Sequence, residues 1–197
     1  MPTTVFLLVA PSPCGFGGVS SIRFSVSLNF SSPNFLSVYA MPDTTKILSA
    51  TGNVCHQWSY LEYLISKAIW HILGLERDTG IIVTGGMDIL SRVNMAIALA
   101  KHTRANKKLI EVLEETRVKI QGKRKTDGLM YRRNLIVHGV YSSRDNDPII
   151  LVETHRGAGD RKRNPISVAF VAQTGTDIFV ASRSLIFVFE PLGISCH

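Results

Sequence analysis

The side chains best suited to chemistry lie in one short run, Tyr131-Arg132-Arg133-Asn134-Leu135-Ile136-Val137-His138-Gly139-Val140-Tyr141. It sets two guanidiniums, an amide and an imidazole along an apolar stretch. Met130, Val137 and Val140, with Leu135 and Ile136 between, let the run lie as a helix against a core. Gly139 reads as its stop, because glycine takes positive φ without a Cβ clash. On that helix Asn134 and His138, four apart, share one face. Arg133 starts nearby, with a side chain long enough to lean toward the same mouth. A guanidinium offers a fork of N–H donors to phosphate oxygens, and imidazole is the side chain that exchanges a proton near neutral pH. The combination suits the handling of a phosphate. A plainer reading competes with it: Arg133 pairs with a carboxylate, Asn134 caps a turn, and His138 is a satisfied residue at a helix C-terminus, where the backbone dipole favours imidazolium.

The elements that must position these residues read mostly as helices. From about Asn53 to Leu73, apolar residues fall at Trp58, Leu61, Leu64, Ile65, Ala68, Ile69, Ile72 and Leu73, which is helical spacing, and Gly74 ends the helix. Glu62 is its one acid, either a solvated surface group or the partner of Arg133. Trp58 and Trp70 read as core rather than as platforms for stacking bases. Thr79-Gly80 and Gly85-Gly86 bracket a short loop or extended stretch. A second helix carries Leu90, Val93, Ile97 and Ala100 on one face, with Asp88 at its positive end. A third runs over Leu109, Val112, Leu113 and Ile120, its other face a solvated mixture of charges. The basic turn Lys123-Arg124-Lys125 then leads into the helix of Arg133 and His138. Lys123, Arg124, Lys125 and Arg132 are expected to frame the entrance to that pair, as a polyanion site requires.

Beyond Tyr141 the pattern changes. Ile149–Val152 and Val168–Val171 read as two short strands, a hairpin with the basic loop Arg156–Arg163 between them. The last segment, from Thr176-Asp177 through Leu192, reads as a helix, though Leu185–Phe189 suits a strand as well. The first forty residues differ from the rest: Arg23 is the only charged side chain before Met41, and Ser, Pro, Gly and Phe dominate. Residues 1–40 are expected to be a poorly ordered or non-native extension, with the functional domain at 41–197 and its core at about 53–141. Val5–Ala10 is too short to span a membrane.

A length of 197 residues is ordinary for one domain with a sizeable core. The formal charge of +7 favours anionic partners, nucleic acid first. Cys14, Cys55 and Cys196 are far apart and odd in number, which argues against a disulfide framework and for a reducing, cytoplasmic setting. Cys55-His56 has no second ligand pair at zinc-finger spacing, so no metal is expected. There is no Gly-x-x-x-x-Gly-Lys-Ser/Thr, His-Glu-x-x-His or Gly-x-Ser-x-Gly, which removes P-loop, zincin and hydrolase-elbow chemistry.

Amphipathic helices followed by Arg133-Asn134-Leu135-Ile136-Val137-His138 at a helix end resemble the HEPN superfamily of helical domains acting on nucleic acid. The resemblance spans about Cys55 to Tyr141. Its most specific part is the Arg, a polar residue directly after it, and a His at the family's spacing. The first helix, with Trp58, Leu61, Glu62 and Leu64, is similar in style. The resemblance implies a mainly α, antiparallel helical bundle, here with a small β-hairpin-like C-terminal addition. It implies a homodimer in which two Arg/His helix ends meet in one cleft. Many members are cofactor-free, metal-independent endoribonucleases of defence or toxin–antitoxin systems. The expected partners are therefore RNA, a second copy of the chain and an antitoxin or other regulatory protein, with no membrane. His138 would be general acid/base and Arg133 would stabilise the phosphoryl oxygens. Asn134 would orient either, with Glu62 and Arg132 in support and Lys123, Arg124 and Lys125 on the nucleic acid. Other members keep the bundle without catalysis, so a non-catalytic module binding nucleic acid or a protein is the alternative.

Overall fold

The computed structural model describes residues 44–124, 126–142, 150–156 and 160–194, all within one compact unit, Tyr39–His197. The expectations for residues 1–40 and for Lys125 lie outside the described residues. Among the described residues the chain is mainly helical. α1 spans Thr44–Leu73, α2 Arg77–Thr84, α3 Ile89–His102, α4 Lys107–Gln121, α5 Leu129–His138 and α6 Val168–Phe189, and a 3-10 turn follows at Glu190–Leu192. Three short strands, β1 (Val140–Ser142), β2 (Ile150–Arg156) and β3 (Asp160–Ile166), lie in that order and run antiparallel.

α1 is the axis. At 30 residues it is about 45 Å long, and α6, α3, α2 and α5 all pack on it. Its start lies two turns before the apolar pattern suggests, because Gly52 and Asn53 interrupt that pattern without breaking the helix. The stripe Val54, Trp58, Leu61, Ile65 and Ala68 is buried at the three- and four-residue spacing of one helical face. Gly74, at φ +63°, supplies the left-handed residue that ends the helix. α6 contributes Val171, Ile178, Ala181, Leu185 and Phe189 to the same core. Its Gly175 lets α1 come close, since a Cβ there would lie 2.7 Å from the Asn53 amide nitrogen. Each large aliphatic or aromatic side chain among them contributes about 1.5–3 kcal/mol when buried, whereas an exposed pair such as Lys101–Glu114, 2.7 Å apart, is screened by solvent and contributes little. The apolar core therefore decides the fold.

Two expectations need correction. Residues 77–84 form a helix rather than a loop. Gly80 permits it, because the Trp70 ring packs directly on its backbone: an added Cβ would lie 2.6 Å from Trp70 Cγ and Cδ2. The Trp70 indole N–H donates to Thr84 Oγ1 at 3.2 Å, so α2 is fastened to α1 at both ends of one turn. Val168–Val171 is not a strand but the first turn of α6. Ser167 caps it by accepting from the Phe170 N–H at 3.1 Å, and the helix continues through Thr176-Asp177 and Leu185–Phe189. In α3 Leu90 packs half-buried against the core, as its spacing with Val93, Ile97 and Ala100 predicts, and Ile89 beside it is buried. Asp88 does cap that helix, accepting from the Ser91 N–H at 2.8 Å. No single described helix is long and apolar enough to cross a membrane.

Candidate functional site

α5 is short, and its sides divide between neighbours. Leu129, Leu135 and Ile136 are buried. Arg132 and Arg133 flank Ile136 on the helix surface, about 100° apart, and so reach different helices. Arg132 turns to α6, where its Nη1 lies 2.7 Å from Asp177 Oδ2. The other Asp177 oxygen accepts from Gln173 Nε2 at 2.9 Å. Arg133 turns to α1 and lies over the Trp58 ring, its Cζ 5.7 Å from the ring centre. From there its Nη1 donates to Asn134 Oδ1 at 2.9 Å and approaches His138 Nε2 at 3.0 Å. The amide and the imidazole are solvent-exposed and the arginine is half-buried.

Because a guanidinium only donates, Nε2 accepts in this contact. The tautomer with its proton on Nδ1 is the one that fits this contact. The Arg133 guanidinium thus lies against a π face, an amide oxygen and an imidazole nitrogen, none of them a carboxylate. Among the described residues no carboxylate lies within ion-pair distance of Arg133, and its Nε is buried without a partner. A guanidinium beside open solvent has the donor geometry that suits an anionic oxygen.

Glu62 does not hold Arg133. Its Oε1 accepts from the Trp58 indole N–H at 2.9 Å, and its Oε2 lies 3.9 Å from Arg92 Nη1 on α3. Arg132, spent on Asp177, does not join Arg133 and His138. Lys123 and Arg124 are exposed in the turn before α5, a full helix length of about 15 Å from His138, so they do not frame His138 within one copy of the chain. Gly139 stops α5 as expected but not by a left-handed cap: at φ −79° and ψ 147° it is extended, and the chain passes straight into β1. The strand register places Val140 opposite Glu153, and Glu153 opposite Arg163. The basic segment Arg161-Lys162-Arg163 therefore lies two strand spacings, about 10 Å, from the chain just after His138.

Trp58, which its helical spacing assigns to the core alone, also carries the Arg133 guanidinium over its ring. It is 4% exposed, so it is core as well. The signal for its second role was available: Trp58 and Glu62 are four apart on α1, a spacing that brings an indole N–H to a carboxylate. Cys55 and His56 gather no metal-like set, and among the described residues no cluster of three His, Cys, Asp or Glu side chains forms. No known protein family, curated protein or solved structure matches the chain.

Proposed function

We propose that this chain is a metal-independent endoribonuclease of HEPN-like architecture, a helical bundle in which β2 and β3 form the hairpin-like addition. The observation that carries the reading is Arg133, a half-buried guanidinium with no carboxylate partner among the described residues, in contact through one nitrogen with Asn134 and His138. An RNA phosphate supplies the missing negative charge. As its non-bridging oxygen takes the Arg133 Nη1 hydrogen bond, His138 Nε2 is released with its lone pair free. That lone pair accepts the proton of the adjacent 2′-hydroxyl while O2′ bonds to phosphorus. The P–O5′ bond breaks, and the 5′-oxygen takes a proton from water or from the imidazolium of a second copy. The products are a 2′,3′-cyclic phosphate and a 5′-hydroxyl, and DNA is spared for want of the 2′-hydroxyl. Acid–base catalysis of this kind contributes ~10²–10⁴ in rate, and a positioned guanidinium stabilises charge that develops on the phosphoryl oxygens. Two copies meeting at their α5 ends would double the Arg/His set, and a regulatory or antitoxin protein would act by covering it.

The test is cleavage of a mixed RNA pool in EDTA by wild type, His138→Ala and Arg133→Ala. Metal-free cutting that leaves cyclic phosphate ends and stops in both variants supports the reading. Activity surviving in both places the chemistry elsewhere. A second reading, a non-catalytic module, draws on a different observation: Phe179, Val180 and Phe187 on the outer face of α6 are exposed, Phe187 by 74%. An inactive wild type that still binds RNA or a protein would favour it.

A further inference from the structure

We propose that Trp58 and Glu62 are positioning residues for Arg133: the Glu62 carboxylate fixes the Trp58 indole, and the indole face holds the guanidinium on His138. The inference rests on the reading of Arg133 and His138 as the working pair. Arginine has a long, freely rotating stem, and its acceptors on α5, Asn134 and His138, are themselves exposed, so support from another element is needed to keep its terminus at one place. Three contacts do so in sequence. Glu62 Oε1 takes the indole N–H at 2.9 Å, which sets the ring orientation. The ring face, made more electron-rich by that hydrogen bond to an anion, attracts the guanidinium, whose carbon lies 5.7 Å from the ring centre. Nη1 is thereby aimed at both Asn134 Oδ1 and His138 Nε2.

The arrangement also explains why an acid close to the site does not quench it. A carboxylate in direct contact with Arg133 would compete with a phosphate for the same N–H groups. Placing the indole between them lets Glu62 steady the cation without occupying its donors. Arg92, 3.9 Å from the second Glu62 oxygen, holds the carboxylate from the side of α3. Glu62 is 31% exposed at its side chain and Trp58 4% exposed in all, so the support lies mostly beneath the surface while Asn134 and His138 remain open to solvent.

The experiment uses the whole chain and reads the protein without substrate first. The ring ¹⁵N resonances of His138, assigned by their loss in His138→Ala, report which ring nitrogen carries the proton. In wild type at neutral pH, Nε2 is expected to be the unprotonated acceptor. In Arg133→Met, Trp58→Phe and Glu62→Leu, the ring should move toward the Nε2–H form that free histidine prefers, while Glu62→Gln, which keeps an acceptor for the indole, should move it less. Loss of packing alone would lower the melting temperature without this change of tautomer. In the cleavage assay, Trp58→Phe, which keeps a weaker ring face, and Glu62→Leu, which keeps the indole, are each expected to lose up to about 5-fold, the value of one cation–π contact, with the larger part in kcat. A wild-type tautomer in folded Trp58→Phe and Glu62→Leu overturns the proposal, and so does a wild-type tautomer in Arg133→Met. If wild type cuts no RNA but the tautomer follows the expected order, the ribonuclease reading falls and the positioning stands.

Discussion

Replacing Arg132 and Arg133 by alanine, one at a time, separates a structural arginine from a functional one at adjacent positions. Arg132 Nη1 lies 2.7 Å from Asp177, with side-chain exposures of 19% and 35%. Fully exposed pairs contribute about 0.2–1 kcal/mol, and breaking a fully buried one costs about 3–5 kcal/mol. This pair falls between, and Gln173 continues to serve Asp177 after the arginine is gone. The expected loss for Arg132→Ala is therefore about 1–2 kcal/mol, including the packing of the arginine stem. For a domain of this size that lowers the melting temperature by about 2–8 °C. Arg133→Ala gives up a cation–π contact of about 0.5–1 kcal/mol and two exposed hydrogen bonds, but it also removes a buried Nε that has no partner. Its net stability change should stay within about 1 kcal/mol. Cleavage should follow the opposite order. Arg133→Ala should lose about 10²–10³-fold, the cost of removing one donor to developing charge. Arg132→Ala should cut at close to the wild-type rate at temperatures where it is folded. Differential scanning fluorimetry beside the RNA assay provides both readings. If Arg132→Ala abolishes cleavage while folded and Arg133→Ala does not, the division of labour argued from α5 is wrong.

Three other outcomes are expected. Gly80→Ala should destabilise by about 1–2 kcal/mol in urea titration, because overpacking against the Trp70 ring costs about 1–3 kcal/mol and the helix gains at most about 1 kcal/mol from alanine. At low pH, Asp88 and Glu114 should weaken the fold. The Ser91 backbone N–H and then its hydroxyl hold the Asp88 carboxyl below 3.8, and the hydrogen bond and charge of Lys101 hold Glu114 below 4.5. Depressed folded-state values stabilise above those ordinary values, and the contribution is lost as pH falls through the depressed ones. Urea midpoints in Asp88→Asn with Glu114→Gln should consequently drop less on acidification below pH 4.5 than in wild type. Finally, replacing Arg161, Lys162 and Arg163 by serine should reduce the slope of log affinity for single-stranded RNA against log salt by up to about 2, and more than replacing Lys123 and Arg124. Equal effects would place the RNA path on the Lys123 side of α5.

The helical class was legible because core helices repeat every three or four residues, as Trp58, Leu61, Ile65 and Ala68 do. So was the nearness of Arg133, Asn134 and His138 at one helix end, which follows from helix geometry over six residues. What escaped was contact between elements. No local pattern tells that Arg132 finds Asp177, 45 residues away, or that an indole stands between Glu62 and Arg133. Residues 77–84 were misjudged because glycine reads as a breaker in isolation, whereas Gly80 is there to admit the Trp70 ring. Val168–Val171 misled for a related reason: four residues are too few to distinguish an apolar strand from the first turn of a buried helix, and the deciding residue, Ser167, lies outside the run.

The place of Trp58 has an optical consequence. Excitation of indole moves electron density from its pyrrole ring toward its benzene ring, so charges at the two ends shift the emission in opposite directions. Glu62 fixes a negative charge at the pyrrole N–H, and Arg133 sets a positive one over the ring face. An anion that draws Arg133 away alters one of these charges and leaves the other. The second tryptophan, Trp70, is edge-on to Tyr63 at 6.0 Å and bonded to Thr84, far along the same helix and remote from any such anion. If an anion takes Arg133 as proposed, one chromophore of the chain would register it, while the other would register only whether α1 and α2 remain folded together.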